Sequence, residues 1–408
     1  MKILHISTGF NLDFNGGITN YVRCIAKSQS ENGHEVYVLS DGGKDDGYCV
    51  ITHNPKNHAW SFVKRHDQCE LDQIKNFLID NKFDIVHIHM MLNMDQRLYQ
   101  VLQDVKVKYI VSLHDYWMIC PRIQMIRTGE QRCEKTGEKC TRCFSCLEKN
   151  HFLLRAMRKI FGQQFVTRFP LKSKTVYTKW RKNSDALLAG ASALLPVSNR
   201  VKEIYEQSGI HGNYVVLNIG NISANDFDAD YLYVPKKDIN LVILSSVSEL
   251  KGGLLFCKIL EKVQNPKLKV HFYGRCNKKQ AQMLRRHGII DHGPYKQAEL
   301  KGILASMDMG VMVPIWEDNG PQVVMEMLNN HLPVFATRMG GIPDFVSNDN
   351  GFLFDPFCEE EINAAVEFLN TLSQEKIAIL KKNIHRLITP QEHYAQLMDV
   401  YEKVLNEK

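Results

Sequence analysis

Short, nearly continuous apolar runs alternate along this chain with longer stretches whose apolar positions recur every third or fourth residue. KILHIST opens the pattern, ITNYVRCIAKSQSENGH follows as a helix with Gly33 as its stop, and EVYVLS is a second strand. The helical ELDQIKNFLIDN precedes FDIVHIHM, and KYIVSLHD comes next. Strands that are apolar on both faces, with amphipathic helices between them, predict a parallel sheet covered on both sides. The pattern restarts with NLVILSSV, a helix over GGLLFCKILEKVQ, and then LKVHFYG, MGVMVPI and LPVFATR. Between the two sets, from about Asn218 to Asp238, the chain is polar, rich in turn formers and without a period, as a linker would be. A last helical stretch begins near Pro390, after the final strand of the second set.

The expected fold class is therefore α/β, with two doubly wound, Rossmann-like domains. The first spans 1–217 and is completed by a C-terminal helix over 390–408; the second spans 218–389. A length of 408 residues agrees, since single cores stop growing near ~250–300 residues. Ligands of open α/β sheets bind outside the carboxyl ends of the strands. Two such domains facing each other would leave a central cleft, and residues just after strands carry the most weight.

Composition narrows the class further. With 44% apolar and 24% charged residues the chain is neither disordered nor collagenous. No apolar stretch approaches the ~20 residues needed to cross a bilayer. MKILHISTGF runs directly into a strand rather than into a signal peptide, so a cytosolic protein is expected.

The net charge of +6 is a local feature. Residues 151–184 hold nine cations and no acid: Arg155, Arg158, Lys159, Arg168, Lys172, Lys174, Lys179, Arg181 and Lys182. Removing them leaves 42 basic against 45 acidic residues. Apolar and aromatic residues such as Phe161 and Trp180 interleave with these cations, the ingredients of a helix lying on an anionic membrane surface. An ordinary packed helix remains the alternative, and nucleic acid is not the expected partner. The eleven cysteines are as uneven, with five in the insertion 120–146. Cys120, Cys133, Cys140, Cys143 and Cys146 contain two overlapping C-x-x-C pairs, which suit a structural zinc. Cys133, Cys140, Cys143 and Cys146 are the expected ligands, with Cys120 as substitute and free thiols as the alternative.

Four places could carry chemistry. Gly16-Gly17 follow the first strand and open a helix, where a bare backbone could approach a phosphate, although a tight turn explains them equally well. His114-Asp115 end a strand, where a histidine can donate to a ligand hydroxyl or titrate near neutral pH, although a satisfied loop histidine explains it equally well. Lys251-Gly252-Gly253 place a cation beside a helix start, which suits a diphosphate, with a solvated loop lysine as the alternative. The stretch VPIWEDNGPQVVMEMLNNHLPVFATRMGGIPDFV gives a strand, a polar turn, a helix beginning near Pro321, a strand and a second Gly-Gly. Proline there would leave the amides of Gln322 and Val323 for an anion. Asp318 and Glu326 bracket that turn, and Glu326 inside the helix could accept from a diol such as a ribose.

GGITNYV, HDYW, SELKGG, and EDNGPQVVMEML followed by TRMGGIPD occur in order over most of the chain. Together they resemble the signatures of retaining GT-B-fold glycosyltransferases with a Glu-x7-Glu motif, the group 1 or family 4-like enzymes of surface-polysaccharide assembly. By that resemblance Glu326 binds the ribose, Asp318 the donor sugar, Lys251 the diphosphate with Arg275 assisting, and Gly17 approaches the diphosphate from the other domain. His114 sits beside the transferred sugar. Asp318 stands where the family has glutamate, with Glu317 one position away, and Ser246 stands where many members carry an arginine. The implied donor is UDP- or GDP-linked, and the acceptor is a glycan or lipid-linked glycan at the cytoplasmic face of a membrane. No cofactor is required for catalysis. A nucleotide-sugar epimerase or phosphorylase on the same fold, and a non-enzymatic zinc-stabilised protein binding anionic polymer or membrane, are the rival readings.

Overall fold

The computed structural model describes residues 1–7, 16–40, 49–52, 68–91, 94–120, 122–126, 132–133 and 171–407. The chain divides into two units, 1–217 with 394–408, and 218–393.

In the first unit β1 (Lys2–Ser7), β2 (Glu35–Ser40), β3 (Cys49–Thr52), β4 (Ile85–Met90), β5 (Tyr109–Leu113) and β6 (Ala193–Pro196) form one sheet. Its order is β3-β2-β1-β4-β5-β6 and every pairing is parallel. The helices are α1 (Gly17–Glu31), α2 (Gln68–Asn81), α3 (Leu98–Val105), α4 (Leu171–Ala189) and α5 (Asn199–Gln207). β1, β4 and β5 are buried along nearly their whole length, which is why they read as continuous apolar runs rather than alternating ones. His5, Ser7, His87, His89 and Ser112 are the polar exceptions, all of them buried. Between β1 and β4 the register slips by one residue after the Ile6–Ile88 pair, so His89 has no partner opposite. Such a bulge re-aims the side chain it carries.

The second unit repeats the arrangement with β7 (Ile239–Ser245), β8 (Leu268–Gly274), β9 (Ile290–Asp291), β10 (Met309–Met312), β11 (Val334–Thr337) and β12 (Gly351–Phe354). The order β12-β11-β10-β7-β8-β9 is that of the first sheet, read from the other edge. Its helices are α6 (Gly253–Leu260), α7 (Lys278–Arg286), α8 (Leu300–Ala305), α9 (Gln322–Asn329), α10 (Glu359–Asn370) and α11 (Gln374–Lys382). Alternate residues of β7 enter different cores. Leu241 and Ile243 pack with Phe256, Phe272 and Phe335 on one face, while Val242 and Leu244 pack with Met327, Leu328 and Val334 on the other. Each such side chain removed from water contributes about 1.5–3 kcal/mol, so neither face of the sheet can be left uncovered. The final helix, α12 (Pro390–Asn406), packs on the first unit, where Tyr401 is fully buried and Lys108 Nζ donates to Val404 O at 2.8 Å.

Three local expectations differ from the structure. The helix expected over GGLLFCKILEKVQ stops at Leu260. MGVMVPI is strand only over Met309–Met312, since Pro314 has no N–H to give a ladder. The segment expected as a linker is anchored to the second unit. Asn221 caps a 3-10 turn over Ile222–Asp226, and Tyr231 and Tyr233 lie 5.5 and 4.9 Å from Lys381 Nζ. Tyr231 also stacks on His331 with centroids 4.3 Å apart. These anchors are scattered aromatic side chains, so no hydrophobic period announces them. Among the described residues, no helix is long and apolar enough to cross a membrane.

Candidate functional site

In the second unit the strand order reverses between β7 and β10, the place where open α/β sheets hold ligands. After β7 the chain turns sharply into α6. Gly252 has φ 77°, and a Cβ there would overlap Val313 O just past β10. Only glycine lets this turn sit so close to the neighbouring strand. Ile315 N donates to Leu250 O at 3.0 Å and fastens the two segments together. The result aims Lys251 across the reversal point: its Nζ donates to Asp318 Oδ2 at 2.6 Å and lies 5.2 Å from the centroid of Trp316. A hollow beside this pair is lined by Ser246, Val247, Lys251, Gly252, Gly253 and Val313.

The loop after β10 is locked from the far side by the second Gly-Gly. Glu317 is 2% exposed, and its Oε2 accepts from Gly340 N at 2.9 Å. Gly341 N donates to Asp318 O at 2.7 Å. Gly340 has φ 55°, and a Cβ on it would overlap the Asp318 backbone. The two adjacent acids therefore divide the work: Glu317 turns inward to hold the loop, and Asp318 faces Lys251.

Helix α9 begins at Gln322, with Pro321 as its N-cap. The expectation that both following amides are available is half corrected. Gln322 N donates to Gly320 O at 2.9 Å, and its side-chain Oε1 accepts from Asn221 Nδ2 at 2.8 Å. The Val323 N–H is taken by no acceptor among the described residues. Glu326 lies in the same helix and accepts from Gln297 Nε2 at 3.4 Å. Burial raises its carboxyl pKa, and the Gln297 contact opposes that. Tyr295 stands close enough for the Glu326 charge to add to the burial that raises its own phenol. A half-buried carboxylate supplied by one long hydrogen bond gains most from further donors.

In the first unit the reversal lies between β1 and β4, and imidazoles occupy it. His5 Nε2 meets Gln29 Oε1 at 2.6 Å, His5 Nδ1 meets His89 Nε2 at 2.8 Å, and His89 Nδ1 meets His114 Nε2 at 3.2 Å. His114 is 7% exposed at the end of β5. Burial pushes His5 down to about 4. Burial, then the neighbouring His87, His5 and His114, holds His89 well below the ordinary value. His5 and His89 are therefore neutral imidazoles at pH 7. Asp115 accepts from Trp117 N at 2.8 Å, yet burial pushes its carboxyl up to about 6. Gly16 caps α1, and a Cβ on Gly17 would meet no described atom within 4 Å.

The remaining sequence candidates are not drawn into either place. Arg275 is exposed just past β8. Cys140, Cys143 and Cys146 lie outside the described residues, as do Arg155, Arg158, Lys159 and Arg168; Cys120 and Cys133 are half-buried. Of the nine cations counted for a membrane surface, Arg181 is spent internally. Its Nε donates to Asp185 Oδ1 at 2.6 Å and its Nη2 to Ser208 O at 2.7 Å. Trp180 beside it is buried edge-on against Trp117, whereas Lys179 and Lys182 are exposed. Sequence reasoning missed Trp316, Gln297, Tyr295 and the partners of His114. The available signal for the last was HIH in β4, whose alternation puts both rings on one face.

A family model described as Glycosyl transferases group 1 matches residues 238–371, and one described as Glycosyltransferase Family 4 matches 15–218, half of the chain. No curated protein matches the chain. Among solved structures, a glycosyltransferase from Rickettsia africae is similar at 16% identity and TM-score 0.61, covering 100% of this chain and 99% of that one. Anabaena HepE in complex with UDP is similar at 14% identity and TM-score 0.65, covering 99% and 100%. WaaG, a glycosyltransferase involved in lipopolysaccharide biosynthesis, is similar at 15% identity and TM-score 0.56, covering 99% and 98%. At such identities the likeness is one of fold.

Proposed function

The chain belongs to glycosyltransferase family 4, and from that premise we propose that it moves a sugar from a nucleoside-diphosphate sugar to a hydroxyl of a glycan, with retention of the anomeric configuration. The observation that carries this reading is the Lys251–Asp318 pair at the reversal point, 2.6 Å apart beside the start of α6. A cation held in that position neutralises a diphosphate, and a carboxylate next to it accepts from sugar hydroxyls. Glu326, short of donors inside α9, is suited to the two hydroxyls of a ribose. The UDP held by Anabaena HepE favours a uridine donor, with guanosine as the other base to test. In the reaction the bond from the anomeric carbon to the diphosphate oxygen breaks, and the acceptor oxygen bonds to the same face. The acceptor proton leaves on the departing diphosphate. The protein's part is orientation and charge neutralisation, and the scheme asks for no divalent cation.

The role of WaaG in lipopolysaccharide assembly supports a lipid-linked acceptor and peripheral contact with a membrane surface. Residues 151–184 would supply that contact with eight cations once Arg181 is set aside. A structural zinc on Cys133, Cys140, Cys143 and Cys146, with Cys120 as substitute, would tie down the insertion. Thermal-shift measurements against UDP- and GDP-sugars, followed by product analysis, test the central reading. One nucleotide sugar should raise the melting temperature, and the product should keep the donor's anomeric configuration. Lys251→Ala should weaken nucleoside-diphosphate binding more than nucleoside binding. A chain that binds no nucleotide sugar sinks the proposal.

A further inference from the structure

His5, His87 and His89 bring ring nitrogens within 4.8 Å of one another, a spacing a metal ion could bridge. Yet every one of their six nitrogens already has a hydrogen-bond partner. His87 meets Tyr401 OH at 2.7 Å and Ser112 Oγ at 2.8 Å, while His5 and His89 are taken by Gln29, each other and His114. The cluster is a closed row of hydrogen bonds, and its ends fix where the protons sit.

The end of the row decides its direction. Gln29 is fully buried on α1, and its Nε2 points to Tyr401 OH at 3.4 Å and Met398 Sδ at 3.9 Å. A thioether accepts an N–H and offers nothing to a carbonyl oxygen, so the amide oxygen belongs on the other side, toward His5. That oxygen can only accept, so His5 carries its proton on Nε2. A neutral His5 then has a bare Nδ1, which must accept from His89 Nε2–H. His89 in turn has a bare Nδ1, which must accept from His114 Nε2–H. Reversing any one proton would set two N–H groups or two lone pairs against each other inside the core, at the cost of unmade buried hydrogen bonds.

We propose that Gln29, His5 and His89 are positioning residues that lock His114 as its Nε2–H tautomer, so that its Nδ1 is a hydrogen-bond acceptor. A ring held this way receives a hydroxyl donor and rejects a phosphate or carbonyl oxygen, which fits a sugar hydroxyl at the end of β5. The inference about the sugar rests on the transferase reading; the lock itself does not. The bulge at His89 is the device that brings its ring between β1 and β5, since a regular register would place it opposite a β1 residue.

Nitrogen-15 spectra of the full chain, labelled at histidine and recorded at neutral pH without any nucleotide, test the lock. His114 is assigned by the signals lost in His114→Asn. The expected spectrum has a protonated, pyrrole-like Nε2 and a bare, pyridine-like Nδ1. Gln29→Leu removes the acceptor three groups away and should move both His114 nitrogens toward averaged values. A proton on Nδ1 in wild type, averaged nitrogens in wild type, or a Gln29→Leu spectrum identical to wild type would overturn the proposal. So would metal-bound nitrogens on His5 and His89 in the protein as purified. The wild-type spectrum decides even if a variant fails to fold. Because no sugar is present, a failed transfer assay would count against the reaction and leave the tautomer result standing. Where transfer is measurable, Gln29→Leu should lower kcat with little change in the KM for the nucleotide sugar.

Discussion

At the reversal of strand order in the second unit, the residues just past β7 and β10 are a charged pair held by crowded glycines; at the same place in the first unit, β1 and β4 bring together neutral imidazoles. The contrast follows burial. Side chains of Lys251 and Asp318 keep 30% and 12% of their surface in contact with solvent, and each offsets the other's charge. His5 and His89 are 0% and 3% exposed, where a lone charge is too costly, so they stay neutral and satisfy one another. One topology therefore offers a charge-handling place in one unit and a proton-ordering place in the other.

The sharpest way to break this comparison is to crowd the glycines. Gly252→Ala forces a left-handed residue against Val313 O. The backbone strain and the overlap together should cost about 2–5 kcal/mol in urea unfolding; Gly340→Ala should behave alike. An alanine tolerated at both positions would mean that the turn is not what holds the second site.

Acid should weaken the first unit next. His5 stays neutral in the fold down to about 4, while in the unfolded chain a histidine takes its proton near 6.5. Between those values the unfolded state binds more protons, so stability falls as pH falls from about 6.5 to about 4. For His5 the loss approaches about 3 kcal/mol. Urea unfolding at a series of pH values measures it, and His5→Gln should flatten the slope between pH 6.5 and 5. An unchanged slope in that variant would remove the neutral-imidazole account.

Glu326→Ala should cost about 1.5–3 kcal/mol of donor binding, ten- to a hundredfold, with the fold intact. Calorimetric titration of nucleotide sugar checks this, and wild-type affinity would take the ribose from Glu326. Smallest of all is Gly17→Ala, which should leave unfolding within about 0.5 kcal/mol, because its Cβ meets no described atom within 4 Å. A clear loss of donor affinity in that stable variant would show that the bare backbone at 17 serves a ligand.

Much of this was legible in the sequence, for identifiable reasons. EVYVLS and LKVHFYG are strands over the expected residues, because each is a short run rich in Val, Tyr or Phe, the residues that favour a pleated surface. Lys251 and Asp318 could be placed because each follows a strand, Lys251 just before a glycine pair and Asp318 in the polar turn before Pro321. Their ion pair could not, since it depends on the backbone approach at Gly252 and Val313. The division of labour between Glu317 and Asp318 hangs on which carboxylate meets Gly340, a tertiary fact. Gln29 read as one more polar position on an amphipathic helix, and only the fold shows that it faces inward. Arg181 counted as surface charge for the same reason: a long side chain on a basic helix gives no sign that it turns back to Ser208.

Tyr401 links the row of imidazoles to the timetable of protein synthesis. Its hydroxyl meets both His87 and Gln29, yet it belongs to α12, which leaves the ribosome only after the entire second unit. The first unit can pair its strands early, as nascent domains generally do, but one end of its proton order stays open until the last helix docks. Nascent chains stalled before residue 390 should therefore hold a formed sheet around an unsettled histidine row, and the time taken to synthesise the second unit sets when the first is finished.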